Sequence, residues 1–123
     1  MIIGTGIDIV NTKRFSNWKD DEKLLSRFFH PDEVKYFYSL ASRKEEAIAS
    51  RFAAKEAFGK ALGTGLQGFS LKDICVKTDS LGKPYLEVSP IIFQITKTNN
   101  NVKIHLSISH EKEYAIAMVI LEI

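Results

Sequence analysis

The stretch from Ser42 to Gly63 constrains the fold of this chain more than any other. Ser42-Arg43-Lys44-Glu45 fits a capping box, in which a serine hydroxyl and a glutamate three residues on satisfy each other's free backbone amides. A run rich in Ala, Glu and Lys follows without proline, and Gly63 offers the left-handed residue that commonly closes a helix. The pattern predicts one long helix over residues 43–62. Ala49, Phe52, Ala53, Ala57, Lys60 and Ala61 fall close to one of its faces, so a neighbouring element should pack there.

The remaining segments read as strands and shorter helices. MIIGTGIDIV at 1–10 is a short, apolar, β-branched run and predicts a buried strand, interrupted only by Asp8. Leu24, Leu25, Phe28 and Phe29 have helical spacing. His30-Pro31-Asp32-Glu33 reads as a helix start, with proline in the first turn and two acids at the positive end of the dipole, followed by a stripe of Tyr36, Phe37 and Leu40. In the second half, Ile74 and Val76 alternate with polar neighbours. Asp79-Ser80-Leu81-Gly82 then supplies turn chemistry before Pro84 and a strand from Tyr85 to Val88. Ser89-Pro90 opens a helix over IIFQITK that the asparagines 99–101 end. Two last strands, Val102 to Ser109 and Tyr114 to Ile123, are joined by a tight turn from His110 to Glu113. With 123 residues, 45% of them hydrophobic, and no repeats or linkers, the chain predicts a single α+β domain over 1–123: an antiparallel sheet packed against one long helix and shorter helices. The last strand is apolar on both faces, Ala115, Ala117, Val119 and Leu121 on one and Tyr114, Ile116, Met118 and Ile120 on the other. Oligomerisation would cover its second face.

Composition excludes several classes of function. A net charge of +2 and a pI near 8.6 give no strong basic stripe for nucleic acid. No apolar run approaches the ~20 residues of a membrane span, and the start lacks the layout of a signal peptide. Cys75 is the single cysteine, so neither an internal disulfide nor a cysteine-based zinc site can form, and a reducing cytoplasm is the expected compartment. Between residues 13 and 60 there are eleven Lys and Arg against eight Asp and Glu, and elsewhere six against seven. The positive character of the helical half could receive an acidic partner, or be a solvated helix face.

Three groups of residues could carry chemistry. Asp8 is a carboxylate in a strand of Ile, Gly and Val, costly to bury unless paired, hydrogen-bonded or bound to metal. Gly4 and Gly6 near it do not form a nucleotide fingerprint, because the third glycine position is Ile9. Glu56 lies mid-helix, four residues before Lys60, where an exposed ion pair would explain it. Arg51, Lys55 and Lys60 on the same helix, with Gly63-Thr64-Gly65 at its end, are also what a magnesium–phosphate site needs: the acid for the metal, the cations for phosphate oxygens. In the third group, His105, Ser107 and Ser109 share one strand face that could bind a ligand or meet solvent. No Ser-His-Asp pattern is present, two histidines five apart on a strand make a poor zinc site, and Cys75 reads as a small core residue.

Taken in order, GTGIDIVNTKRF at 4–15, RFAAKEAFGKALGTG at 51–65, GKPY at 82–85 and HLSISHEKEYAIAMVI at 105–120 resemble the holo-acyl-carrier-protein synthases, the small 4′-phosphopantetheinyl transferases of bacterial fatty-acid synthesis. The resemblance spans nearly the whole chain and implies the fold of that family. It also implies transfer of the phosphopantetheine arm of coenzyme A to a serine of apo-acyl carrier protein, releasing adenosine 3′,5′-bisphosphate. It implies Mg²⁺ on Asp8 and Glu56, coenzyme A bound by Arg51, Lys55, Lys60, Gly63, Gly65 and His105, and a homotrimer in which His105 comes from the adjacent subunit. Glu56 and Lys60 are the expected catalytic residues. For the group that takes the serine proton the candidates are Glu56 acting through a water on the metal, a hydroxide on the metal, and His110. An acidic carrier would meet Arg14, Lys23 and Arg27, with apolar contact from Leu24 and Phe28. The alternative is a module that docks acidic carriers without chemistry. Asp8 separates the two, since docking needs no carboxylate in an apolar strand.

Overall fold

The computed structural model describes residues 1–95 and 101–123, so the expected end of the helix after Pro90, with Asn99 and Asn100, lies outside the described residues. Strand β1 (Ile2–Asn11) leads through a 3₁₀ turn (Thr12–Phe15) into helices α1 (Glu22–Phe28), α2 (Pro31–Ser39) and α3 (Lys44–Leu62). A second 3₁₀ turn (Leu71–Asp73) precedes the hairpin β2 (Ile74–Thr78) and β3 (Pro84–Val88). Short helix α4 (Ile91–Ile95) and strands β4 (Lys103–His110) and β5 (Tyr114–Glu122) complete the order. The strands are antiparallel throughout and form two sheets, β1-β5-β4 and the β2-β3 pair. No helix among the described residues is long and apolar enough to cross a membrane.

Helix α3 lies on the inner face of the larger sheet, where Ala115, Ala117, Val119 and Leu121 are buried. The two early glycines explain how closely it lies. A Cβ on Gly4 would stand 2.0 Å from the carbonyl oxygen of Ala61, and one on Gly6 would stand 1.9 Å from that of Ala57. Helix and strand backbones therefore touch, and Asp8, next on the same strand face, is held against the helix. The opposite face of the sheet is open, with Ile3, Ile7, Ile9 and Met118 exposed.

The helix end expected at Ser42 forms differently. Arg43 is the N-cap, in the left-handed region at φ 59°, and makes no side-chain cap. Glu45 cannot close a capping box because Lys19 Nζ (2.9 Å) and Ser16 Oγ (3.4 Å) hold its carboxylate. The predicted face is also too narrow. Ala47, Ile48, Ser50, Ala54, Lys55 and Phe58 are buried as well, since α3 has the sheet on one side and α2 and β2 on the other. The helix at Pro31 forms as read: His30 caps it, and Glu33 bonds back to the His30 amide at 3.0 Å.

Candidate active site

Asp8, Glu56 and Lys60 meet at the open edge of β1, where α3 crosses the strand. Lys60 Nζ donates to Asp8 Oδ1 at 3.1 Å and to the Ile7 carbonyl at 2.9 Å. The other carboxylate oxygen, Asp8 Oδ2, is buried with no hydrogen-bond partner. Burial raises the proton affinity of Glu56, and the Asp8 charge raises it further, while Arg14 and Lys60 oppose both. Arg14 is part of this site because the 3₁₀ turn after β1 lays its guanidinium on Phe52 of α3, 4.7 Å from the ring centroid. Sequence reasoning gave Arg14 to the carrier alone. Its place one short turn beyond the Asp8 strand was the available signal.

The remaining cations of α3 turn elsewhere. Lys55 is fully buried and ion-paired with Glu33, so it faces no solvent-borne phosphate; the expectation that it binds coenzyme A is corrected here. Arg51 lies against α2, with its guanidinium 4.6 Å from the Tyr36 ring centroid. Gly63 closes α3 at φ 82° and Gly65 follows at φ 64°, both with open space where a side chain would be, so backbone there is accessible.

His105 lies on the exposed face of β4, two strands from β1, and its ring meets Glu122 at 3.0 Å. Its cross-strand neighbours Ile120 and Thr5 also point to the outer face, whereas Asp8 points to the inner one. Within one chain His105 therefore cannot reach Asp8. His110 sits 3.5 Å from Glu46, and Glu46 and Glu56 are ten positions apart on the helix, about 15 Å of rise, so His110 is not at this site. Lys23 and Arg27 are exposed on α1. Leu24 is half-buried, and Phe28 stacks on Trp18 at 5.1 Å, which leaves it only partly available for contact.

Two carboxylates close enough that the charge of Asp8 is felt at Glu56, one of them with a buried, unpartnered oxygen, suit a hard divalent cation. Mg²⁺ is commonly held by one or two carboxylates, with substrate phosphates and water completing its shell. Among the described residues no three His, Cys, Asp or Glu side chains converge, so the protein alone offers no closed cage. Lys60 and Arg14 beside the pair would meet the phosphate charge.

This fold is that of a phosphopantetheinyl transferase. The chain belongs to the 4′-phosphopantetheinyl transferase superfamily, which it matches over residues 4–119. Within it, the chain is similar to the holo-[acyl-carrier-protein] synthase of Treponema denticola, at 51% identity over 99% of both chains. The synthase of Halothermothrix orenii is 47% identical, over 99% of this chain and 98% of that one. Among solved structures, the synthase of Bacillus anthracis in complex with CoA (3′,5′-ADP) superposes with a TM-score of 0.81 at 41% identity, covering 98% of this chain and 96% of that one. The synthase of Neisseria meningitidis gives 0.85 at 36%, covering 99% of each.

Proposed function

We propose that this enzyme transfers the 4′-phosphopantetheine group of coenzyme A to a serine hydroxyl of apo-acyl carrier protein, with Mg²⁺ held by Asp8 and Glu56. The observation that carries the site assignment is the buried, unpartnered Asp8 Oδ2 beside Glu56. A docking module without chemistry has no use for it.

In the reaction, the serine oxygen forms a bond to the phosphorus that bears the pantetheine arm. The bond from that phosphorus to the bridging oxygen breaks, and adenosine 3′,5′-bisphosphate leaves. Charge grows on the leaving and equatorial oxygens, so the protein's task is placement and neutralisation. Lys60, half exposed, can turn its ammonium to the diphosphate while remaining near Asp8. Arg14, whose charge is also felt at Glu56, adds a second cation. Glu56 is the residue placed to take the serine proton as the oxygen attacks. Bound Mg²⁺ supplies a template and Lewis acid for the diphosphate. Gly63 and Gly65 leave room for the nucleotide to approach the backbone.

The assembly is a homotrimer with His105 of each subunit completing a neighbour's coenzyme A site. The exposed Ile7, Ile9 and Met118 on the face that also bears His105 support this reading. The carrier docks on α1 through Lys23 and Arg27, with Leu24 and the accessible part of Phe28, and its affinity falls as salt rises. The buried, unpaired Cys75 suits action in the cytoplasm.

Intact-mass spectrometry of apo-acyl carrier protein incubated with this enzyme, coenzyme A and Mg²⁺ tests the reading. A gain of ~340 Da, one phosphopantetheine on the serine, is expected, and a chelator should abolish it. A folded carrier that gains no mass would leave the docking module as the better account.

A further inference from the structure

Lys55 is the one fully buried cation among the described residues, and the transfer chemistry does not use it. Its ammonium has three donors, and all are engaged: by Glu33 Oε1, by the Phe28 carbonyl at 3.2 Å and by the Leu71 carbonyl at 3.0 Å. Glu33 is equally occupied, accepting from the amides of His30 (3.0 Å) and Val76 (3.1 Å). One ion pair thus ties together the end of α1, the start of α2, the turn before β2, β2 itself and α3. Stability alone does not explain such a pair, because apolar residues of similar volume often do as well or better.

What it fixes is informative. Phe28 follows Arg27, and Leu71 precedes Lys72. With Lys23, Arg27 and Lys72 line one groove of about 460 Å³, shared with Glu22 and Ser26. None of these three cations forms an ion pair among the described residues. Lys72 is distant from the other two in sequence, and only the fold brings it to them. The other end of the linkage is α3, where the residue after Lys55 is Glu56.

We propose that Lys55 is a positioning residue for the carrier: it fixes the groove of Lys23, Arg27 and Lys72, as the seat of an acidic face of acyl carrier protein, at a set place relative to Glu56. This rests on the transferase reading and on carrier docking at α1.

Steady-state transfer, with apo-carrier and coenzyme A varied in turn at fixed Mg²⁺, tests it in wild type, Lys55→Met/Glu33→Gln, Glu33→Gln and Lys72→Ala. The paired replacement removes the charges together, and the one oxygen of Gln still accepts from the Val76 or the His30 amide, which Glu33 serves with separate oxygens. Its carrier KM should rise about tenfold, the size of effect a small misplacement brings, with the coenzyme A KM within about twofold of wild type. Lys72→Ala should raise the carrier KM about threefold at low salt and much less at high salt. A merely structural role would lower the maximal rate and leave both KM values alone, and that result overturns the proposal. So does an equal rise in both. If the paired variant fails to fold, Glu33→Gln decides, since it keeps the bulk of the side chain and one of its two acceptor oxygens: its carrier KM must rise selectively, and an unchanged value overturns the proposal. Wild-type protein that transfers nothing overturns the transferase reading itself, and this inference with it.

Discussion

Two lysines of α3 pair with carboxylates of other elements among the described residues, and the pairs differ in what is left over. Lys55 and Glu33 have side chains 0% and 1% exposed, and every donor of the ammonium is engaged. Lys60 and Asp8 are 54% and 16% exposed, and Asp8 Oδ2 is buried and unpartnered. The residue types are the same and the roles diverge. The closed pair has no capacity for a ligand and acts on geometry. The half-open pair, with Glu56 and Arg14 beside it, has capacity for both a cation and an anion.

The sharpest way to separate the pairs is to remove one partner from each. Lys55→Ala should cost about 3–5 kcal/mol in urea unfolding, because Glu33 is left charged and buried without its partner. Lys60→Ala should cost less than about 1 kcal/mol, as expected of an exposed pair. Equal losses would erase the distinction drawn here. Gly6→Ala comes next. Its Cβ would collide with the Ala57 carbonyl, so a loss of about 1–3 kcal/mol is expected, with reduced transfer as Asp8 shifts from α3. A neutral result would show that Asp8 does not owe its place to that contact.

A smaller effect concerns Cys75, which borders the closed pair. Burial, and then the Glu33 charge, push its thiol up to about 11, against the opposing pull of Lys55 and Lys77. A thiol reagent at mildly alkaline pH should therefore label native protein slowly and urea-unfolded protein fast. Equal rates would mean that the region around the closed pair opens readily. The smallest effect is on the outer sheet face, where the hydrogen bond from His105 lowers the Glu122 carboxyl below its ordinary range. A carboxylate with a lowered folded value stabilises above the ordinary value and loses that contribution as pH falls through the lowered one. Melting curves of wild type and Glu122→Gln should differ slightly at neutral pH and converge in acid. Divergence in acid would contradict the assignment.

Much of this comparison was legible in the sequence, and the missing part has one physical cause. Asp8 stood out because a carboxylate in an apolar strand demands a partner, and the glycine at 63 ended α3 as expected. What periodicity could not give was the direction of each α3 cation. A helix covered by a sheet on one side and by α2 and β2 on the other has no single apolar stripe, so Lys55 reads like Lys60. The partner that distinguishes it, Glu33, lies on another helix, and only the tertiary packing joins them. Gly4 and Gly6 were legible as small but not as the contact surface for α3. The capping box failed for a similar reason, because Lys19 and Ser16, distant in sequence, took Glu45.

Asp8→Asn tests the central claim most directly, because it keeps the shape of the side chain and removes its charge. Carrier modification followed by intact mass, alongside a thermal melt of the same sample, reads chemistry and fold together. Transfer should fall on the order of a thousandfold, the loss expected when a site no longer holds its metal, while the melting temperature holds or rises. Near-normal transfer by a well-folded Asp8→Asn enzyme would contradict the account.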